Sequence, residues 1–323
     1  MSTFPDPTDT PGGPAYEGRL LDRPEEEVVD QGAPFDIRTL MTRRTVLSLV
    51  GLGAGGAVLA ACAPTVAGAT STSTPSATTT PTPSASPSAT ASSSATTAVP
   101  AAEIPDETAG PYPGDGSNGP DALTESGIVR QDIRSSIGGG ATATGVPLTF
   151  RLNLLDMANG DAPFAGVAVY AWHCNARGKY SMYSSGIEDE TYLRGVQVAD
   201  AKGQVSFTSI FPGCYSGRWP HIHFEVYPSA ADITDASNAI ATSQIALPQA
   251  ACAAVYATSG YDGSADNLAQ TSLTSDNVFG DDGGALQLAA VSGDATAGYD
   301  ATLNVRVDTT TAPTGGSTGG GPR

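Results

Sequence analysis

The stretch from Thr45 to Ala102 contains no charged residue, and its larger part, Ala63 to Ala102, is mostly serine, threonine, alanine and proline. A segment of that composition cannot bury an apolar core. Of the 323 residues, only Glu103 to Asp308 form a segment long enough to enclose a substantial core. We therefore expect one folded domain at 103–308, a disordered linker at 63–102 and a flexible tail at 309–323.

The first 62 residues end in a pattern that is typical of export. Arg43 and Arg44 precede an apolar, glycine-rich run that ends in Leu59-Ala60-Ala61-Cys62. Paired arginines before such a run are similar to a twin-arginine signal, and the last four residues resemble a lipobox with an acylated cysteine. A membrane span needs about 20 strongly apolar residues, and this run is shorter and interrupted by glycine.

This pattern predicts that residues 1–62 are an N-terminal extension with a signal of the twin-arginine or lipoprotein type. The protein would then be exported and held by a lipid at Cys62 on the outer face of the cytoplasmic membrane or at the cell surface, or released. Translation could start at Met1 or at Met41, and the general secretory route remains an alternative. We expect no contact with the membrane beyond this anchor.

The chain is acidic, with a formal net charge of -18. This charge repels phosphate backbones, so nucleic acid is not an expected partner. Outside Cys62, three cysteines remain, which are Cys174, Cys214 and Cys252. They allow one disulfide in an oxidising compartment, and the sequence does not choose among the three pairings.

Short alternating runs dominate the domain and predict β-strands. These runs are Val146–Leu155, Gly166–His173, Gln204–Ser209, His221–Tyr227, Ala239–Leu247 and Ala301–Val307. The one good helical candidate is Pro248–Ala257. Many short strands separated by turn residues predict a mainly β fold, an antiparallel β-sandwich with little helix.

The sequence His221-Ile222-His223 lies in one of these strands. Because successive side chains of a strand alternate between faces, the two histidines share one face, about 6 to 7 Å apart along the strand. Two imidazoles on one face can bind the same metal ion. His-x-His by itself is a weak signal, because buried histidines are common without a metal.

Two tyrosines strengthen the metal hypothesis. Tyr215 lies in a Pro-Gly turn just before the histidines, and Tyr180 follows a separate turn. Ionising a phenol of pKa near 10 at pH 7 costs about 4 kcal/mol, which a trivalent cation can offset. Tyrosinate is a hard anionic ligand and favours Fe(III) over zinc or Fe(II).

Four segments together resemble the intradiol ring-cleavage dioxygenases, the family that includes protocatechuate 3,4-dioxygenase and catechol 1,2-dioxygenase. They are Glu107–Pro113, Cys174–Tyr180, Pro212–Tyr215 and Arg218–Phe224. The resemblance covers about residues 107–307. The stretch between Tyr215 and His221 is shorter than in protocatechuate 3,4-dioxygenase, and the helical dimerisation segment of catechol 1,2-dioxygenases has no counterpart.

The resemblance implies one Fe(III) per domain, held by Tyr180, Tyr215, His221 and His223. It also implies a small aromatic diol and O2 as partners, and a cis,cis-muconate-type diacid as product. Tyr215 would accept a proton from the diol, and Arg218 would stabilise negative charge on the activated ring. Gln244 matches a glutamine that supports the site. The oligomeric state and the physiological diol stay open.

Two other functions compete with this one. A different metal enzyme would use His173, His221 and His223 with Glu225, which shares the face of the two histidines. A non-catalytic cell-surface β-sandwich would bind aromatics or iron without turnover, since a fold does not fix a function. Arg194 is a further candidate charge of the pocket, although a purely structural role is equally compatible with the sequence.

Overall fold

The computed structural model describes residues 99–314 and the backbone of three short strands near the N-terminus. These are β1 (Thr8–Thr10), β2 (Gly13–Tyr16) and β3 (Arg19–Leu20), which form a small antiparallel sheet. The predicted signal with Cys62 and nearly all of the predicted linker lie outside the described residues, as do positions 315–323. The structure therefore does not test what the sequence predicts for these residues.

The first sheet of the domain contains four strands, numbered in chain order as β6 (Ala168–Trp172), β7 (Arg194–Val198), β9 (His221–Tyr227) and β10 (Ala241–Ala246). Their spatial order is β10–β9–β6–β7, and all neighbours are antiparallel. β9 is therefore a central strand. His223 lies directly between two register partners, Trp172 on β6 and Gln244 on β10.

The second sheet contains β4 (Pro147–Asp156), β5 (Ala162–Pro163), β8 (Gln204–Ile210), β11 (Ala290–Asp294) and β12 (Gly298–Val307). β8 and β5 pair with one edge of β4, and β12 pairs with the other. The β4–β12 pair is parallel, which departs from the antiparallel prediction. A parallel pair needs a long crossover, and the chain between β4 and β12 visits the first sheet and returns.

The two sheets pack face to face over one apolar core. Along β4, alternate residues from Leu148 to Leu154 point inward. On β9, Ile222, Phe224 and Val226 point into the same core. This packing confirms the predicted β-sandwich with little helix. The α-helices of the described part are α1 (Gln249–Tyr256), as predicted, and the short α2 (Ser264–Leu268).

The outer face of the first sheet is also covered. All seven residues of β9 are buried, because the segment Ala109–Ile128 and the loop from Cys174 to Tyr183 pack on that face as a second apolar cluster. A buried outer face is what allows polar side chains of β9 to form an enclosed site. No helix among residues that the structure describes is long and apolar enough to cross a membrane.

Cys174, Cys214 and Cys252 are buried free thiols. The single disulfide that the sequence allowed is therefore not formed in the described part of the chain. Burial raises the pKa of each thiol, to about 12 for Cys214. Such thiols are poor nucleophiles at neutral pH.

Candidate metal centre

The two histidines of β9 lie on the outer face of the first sheet, as strand alternation predicts. His221 and His223 are 2% and 3% exposed. The intervening Ile222 packs into the core between the sheets. A rigid central strand therefore fixes both imidazoles.

Tyr180 reaches this face from the loop that follows β6. The Asn175 side chain accepts hydrogen bonds from the backbone N–H groups of Arg177 and Lys179, which closes a tight turn before the tyrosine. The Tyr180 ring lies against the Tyr112 ring with centroids 4.8 Å apart. Tyr180 is thus almost fully buried and held in place.

Tyr215 comes from the loop that precedes β9 and closes the opposite side. Gly178 has φ +75, and a Cβ at this position would lie 2.9 Å from the Cβ of Tyr215. Only glycine therefore lets the two tyrosine loops approach this closely. Tyr215 is half-buried and is followed by the exposed Ser216 and Gly217.

These four side chains converge on one point. The Nε2 atom of His221 lies 3.0 Å from His223 Nε2, 3.3 Å from the Tyr215 hydroxyl and 3.5 Å from the Tyr180 hydroxyl. The side chains predicted as ligands are therefore gathered by the fold, although 41 residues separate Tyr180 from His221. Two imidazole nitrogens and two phenol oxygens form the donor set.

The orientation of the His221 imidazole leaves a lone pair toward this point. His221 Nδ1 donates to the Trp219 carbonyl oxygen at 2.5 Å, so its Nε2 is the unprotonated atom. The His223 ring is stacked on Trp172 at 4.8 Å with an interplanar angle of 9°. Its Nδ1 is buried without a hydrogen-bond partner among the described residues, so only its Nε2 contacts the donor set.

Arg218 is the buried cation beside this donor set. Its Nε donates to Asp276 Oδ2 at 2.9 Å and its Nη2 to Gln244 Oε1 at 2.6 Å. Gln244 in turn donates to the Thr108 carbonyl oxygen. Arg218 and Gln244, the two supporting residues predicted from the sequence, are hydrogen-bonded to each other. Asp276 binds Arg218 as well.

The comparisons with known proteins agree with this geometry. A protein-family model described as Dioxygenase matches residues 118–234, a segment that includes all four converging side chains and Arg218. This segment is therefore similar to a dioxygenase domain. The predicted family and the predicted class of enzyme are thereby confirmed. No curated protein matches the sequence.

Several solved structures are similar to this chain, and the first of them shares its fold. The intradiol ring-cleavage dioxygenase from Tetranychus urticae has a TM-score of 0.51 and 23% sequence identity, over 67% of this chain and 98% of that chain. The dioxygenase domain of a carbohydrate-binding fusion from Streptomyces sp. SirexAA-E covers 64% and 99%, at 23% identity and TM-score 0.41. Catechol 1,2-dioxygenase from Pseudomonas arvilla C-1 covers 64% and 65%, at 21% identity and TM-score 0.39.

Electrostatics keep Tyr180, His221 and His223 neutral when no cation is present. Burial, with the nearby Tyr215, raises the pKa of Tyr180 well above its usual value. Burial and the neighbouring cations lower the pKa of His221 and His223. The imidazoles are thus unprotonated at neutral pH, while ionising the Tyr180 phenol requires a strong positive charge beside it.

The rival metal set is not assembled. His173 uses both ring nitrogens elsewhere, toward the Cys174 carbonyl at 2.8 Å and the Ser209 hydroxyl at 2.7 Å. Glu225 accepts a hydrogen bond from the Tyr227 hydroxyl. In the described part of the chain, no three His, Cys, Asp or Glu side chains are grouped to hold a metal. A metal bound by the two histidines of β9 would therefore need the tyrosines as further ligands.

Arg194 is a structural residue rather than a charge of the pocket. Its guanidinium is 1% exposed and donates to the carbonyl oxygens of Tyr112, Pro113 and Ser181 and to the Ser181 and Tyr170 hydroxyls. It thereby ties the segment before the sandwich to the first sheet.

Asp276 and Tyr112 contact the site and were not predicted from the sequence. The sequence offers no local signal for Asp276, an aspartate in a polar loop.

Proposed function

We propose that this domain is a non-haem Fe(III)-dependent intradiol dioxygenase. It would cleave catechol-type aromatics between the two hydroxyl-bearing carbons with both atoms of O2, giving cis,cis-muconate-type diacids. The observation that carries the proposal is the convergence of Tyr180, Tyr215, His221 and His223 on a single point, with donor atoms 3.0 to 3.5 Å from His221 Nε2. The family match supports it.

The donor set fits a ferric ion. Two phenols and two neutral imidazoles combine hard anionic oxygen with nitrogen, which suits Fe(III) better than the softer divalent ions. Zinc sites of proteins use cysteine, histidine and carboxylate ligands, and no such group of three exists among the described residues. One Fe(III) would be held by Tyr180, Tyr215, His221 and His223.

Iron in this site would supply the charge that ionises the phenols and the electronic coupling that lets a chelated catechol ring react with O2. The chain itself supplies a base and an electrostatic partner. Tyr180 is buried and packed against Tyr112, whereas Tyr215 is half-buried beside an exposed turn. Tyr215 is therefore the tyrosine that can move aside and accept a proton from the catechol.

Arg218 supplies positive charge where the ring becomes electron-rich. Its Nε and Nη2 are occupied by Asp276 and Gln244, and no hydrogen bond from Nη1 to a described residue is formed. A guanidinium held on two sides is oriented before substrate arrives, which is how a fixed cation stabilises developing negative charge. A small aromatic diol and O2 are the partners that this site would take.

We also propose that the domain acts outside the cytoplasm, tethered through a lipid on Cys62 and the linker at 63–102. The support is the sequence from Arg43 to Cys62. As a random coil, a linker of this length reaches roughly 35 Å, enough to lift the domain off a membrane surface. Cys62→Ser should move the protein from the membrane fraction to the soluble fraction. An unchanged distribution would contradict the lipid anchor.

The visible absorption spectrum of the iron-loaded protein tests the proposed chemistry. A tyrosinate–Fe(III) centre should give a broad visible band that moves to longer wavelength when catechol is added under nitrogen. Oxygen uptake with formation of a muconate-type product should follow on admitting air. A colourless protein that holds zinc or no metal would contradict the proposal, and would leave the non-catalytic binding module as the better description.

Tyr215→Phe separates an enzyme from a simple iron binder. The variant should still bind iron but lose most of its turnover, about 100-fold, because the proton acceptor is removed. Tyr261→Phe is the matched control, since Tyr261 is a buried tyrosine whose hydroxyl contacts only backbone atoms of Val146 and Phe211. Equal turnover in both variants would show that Tyr215 is not the base.

A further inference from the structure

One carboxylate outside the family-matched segment holds several parts of the site at once. Asp276 is 2% exposed. Its Oδ2 accepts hydrogen bonds from Arg218 Nε at 2.9 Å and from the Trp219 backbone N–H at 2.6 Å. Its Oδ1 accepts from the backbone N–H groups of Val278 and Phe279 at 2.8 and 3.2 Å. Each oxygen therefore accepts two hydrogen bonds.

Three of these four contacts lead back to His221 or to Arg218. Trp219 is the residue whose carbonyl oxygen accepts the Nδ1–H of His221. Phe279 packs its ring edge-on against the His221 imidazole, with centroids 6.5 Å apart. Arg218 is held by Asp276 on Nε and by Gln244 on Nη2. Loss of the carboxylate would therefore release the guanidinium and loosen the support of one imidazole together.

We propose that Asp276 is a positioning residue of the dioxygenase reaction, which fixes the Arg218 guanidinium and the orientation of the His221 ring. The inference rests on the proposed function. Asp276 acts through its neighbours, because its two oxygens are saturated by hydrogen bonds and cannot bind substrate or metal. It lies beyond residues 118–234, so this role is assigned from the contacts in this structure.

The charges favour the same role. Burial acts to raise the pKa of Asp276, but Arg218 and the Trp219 N–H outweigh it and keep the pKa below the ordinary value. The pair is therefore ionised at neutral pH. A buried ion pair with further hydrogen bonds is an oriented unit, and the orientation leaves Nη1 as the one nitrogen of Arg218 without a hydrogen bond to a described residue.

The main test compares Asp276→Asn with Asp161→Asn in the full-length, iron-loaded protein. Asp161 forms a bidentate ion pair at 2.8 and 3.0 Å with Arg306 of β12, in the second sheet, whereas the donor set lies on the first sheet. An amide at 276 cannot accept from all four donors, since its NH2 group is itself a donor. We expect Asp276→Asn to lower kcat at least about tenfold with KM changed less than about threefold. Asp161→Asn should leave both unchanged.

A double-mutant cycle shows whether Asp276 acts through Arg218. If it does, the loss of kcat in the double variant Arg218→Gln/Asp276→Asn should be smaller than the product of the two single losses, because the Arg218–Asp276 interaction is already absent in each single variant. Multiplicative losses would overturn the proposal. Equal losses of kcat in Asp276→Asn and Asp161→Asn would overturn it as well, since breaking any ion pair of the domain would then lower kcat.

A third measurement does not depend on turnover. In the metal-free protein, the His221 Nδ1–H should give a slowly exchanging, downfield proton resonance, which Asp276→Asn should broaden or shift and Asp161→Asn should not. If the wild-type protein cleaves no catechol, the proposed function fails, but this resonance still decides the positioning role. An identical resonance in all three proteins would overturn it.

Discussion

His221 Nε2 and His223 Nε2 lie 3.0 Å apart. Their other hydrogen-bond contacts are with the hydroxyls of Tyr215 and Tyr180, which belong to the same donor set. Two neutral imidazoles that face each other share at most one proton, so this arrangement is satisfied best by a cation between them. The two imidazoles are this close because β9 carries both side chains on one buried face.

Iron should therefore stabilise the folded protein through these histidines. A ligand that binds only the native state adds about 4 kcal/mol at a thousandfold excess over its Kd. We expect ferric iron to raise the Tm of the wild-type protein and of His173→Gln, because His173 points toward Ser209 and a carbonyl oxygen. His221→Gln should lose the iron-dependent rise. Calorimetry with and without iron measures it, and a rise in His221→Gln equal to the wild type would contradict the assignment.

Gly110 should be required next to His223. Its φ is +76, and a Cβ there would lie 3.3 Å from His223 Cε1. Gly110→Ala should cost about 1–2 kcal/mol for the left-handed backbone and should also displace the His223 ring, weakening iron binding.

Gly186→Ala separates these two effects. Gly186 has φ +83, and nothing lies within 4 Å of a Cβ at that position. The control should therefore show the backbone cost alone, with an unchanged iron affinity. Iron titrations followed by visible absorption compare the two variants, and equal affinities would mean that the contact with His223 is tolerated.

Arg194 should be among the most sensitive structural positions of the domain. Arg194→Met keeps the length of the side chain but removes five buried hydrogen bonds. The Pro113 carbonyl keeps the hydrogen bond from the Tyr170 hydroxyl. Each unsatisfied buried polar group costs roughly 1–3 kcal/mol, so we expect a loss of at least about 3 kcal/mol in the free energy of unfolding. Arg134→Met, which removes an exposed pair with Asp132, should cost less than about 1 kcal/mol. Urea unfolding of both variants tests this, and similar losses would contradict it.

Glu225 should destabilise the protein at neutral and alkaline pH. Burial and the charge of Asp115 raise its pKa to about 8, whereas the unfolded chain releases this proton near pH 4.5. Between these values the folded state binds more protons, so its stability falls as the pH rises from about 4.5 through 8. Glu225→Gln keeps an acceptor for the Tyr227 hydroxyl and removes the titration.

The variant should therefore match the wild type below pH 4.5 and exceed it by roughly 3 kcal/mol at pH 7. Glu125→Gln, at an exposed position, controls for the loss of one negative charge from an acidic chain. Free energies of unfolding measured from pH 4 to 9 would show the divergence. Parallel curves for Glu225→Gln and the wild type would indicate that Glu225 is ionised in the folded protein.

Much of the fold could be predicted because its signals are local. In β4 and β9, the alternation of apolar and polar residues is a two-residue pattern that can be seen in the sequence alone. Both strands form where this pattern predicts them. β7 was missed because Arg194 and Gly195 open it, and neither residue type favours a strand. The burial of Arg194 depends on acceptors up to 82 residues away, which no local pattern reports.

The sequence by itself determined which residues have the chemistry for the site: two histidines at strand spacing, two tyrosines in turns, and an arginine three residues before the first histidine. Residue type and short-range periodicity are properties of the chain and need no fold. Only the tertiary structure decided that Tyr180 meets His221, that β12 runs parallel to β4, and that Asp276 binds Arg218 from 58 positions away. Those contacts depend on how the two sheets and their covering loops pack, and packing is set by the whole chain at once.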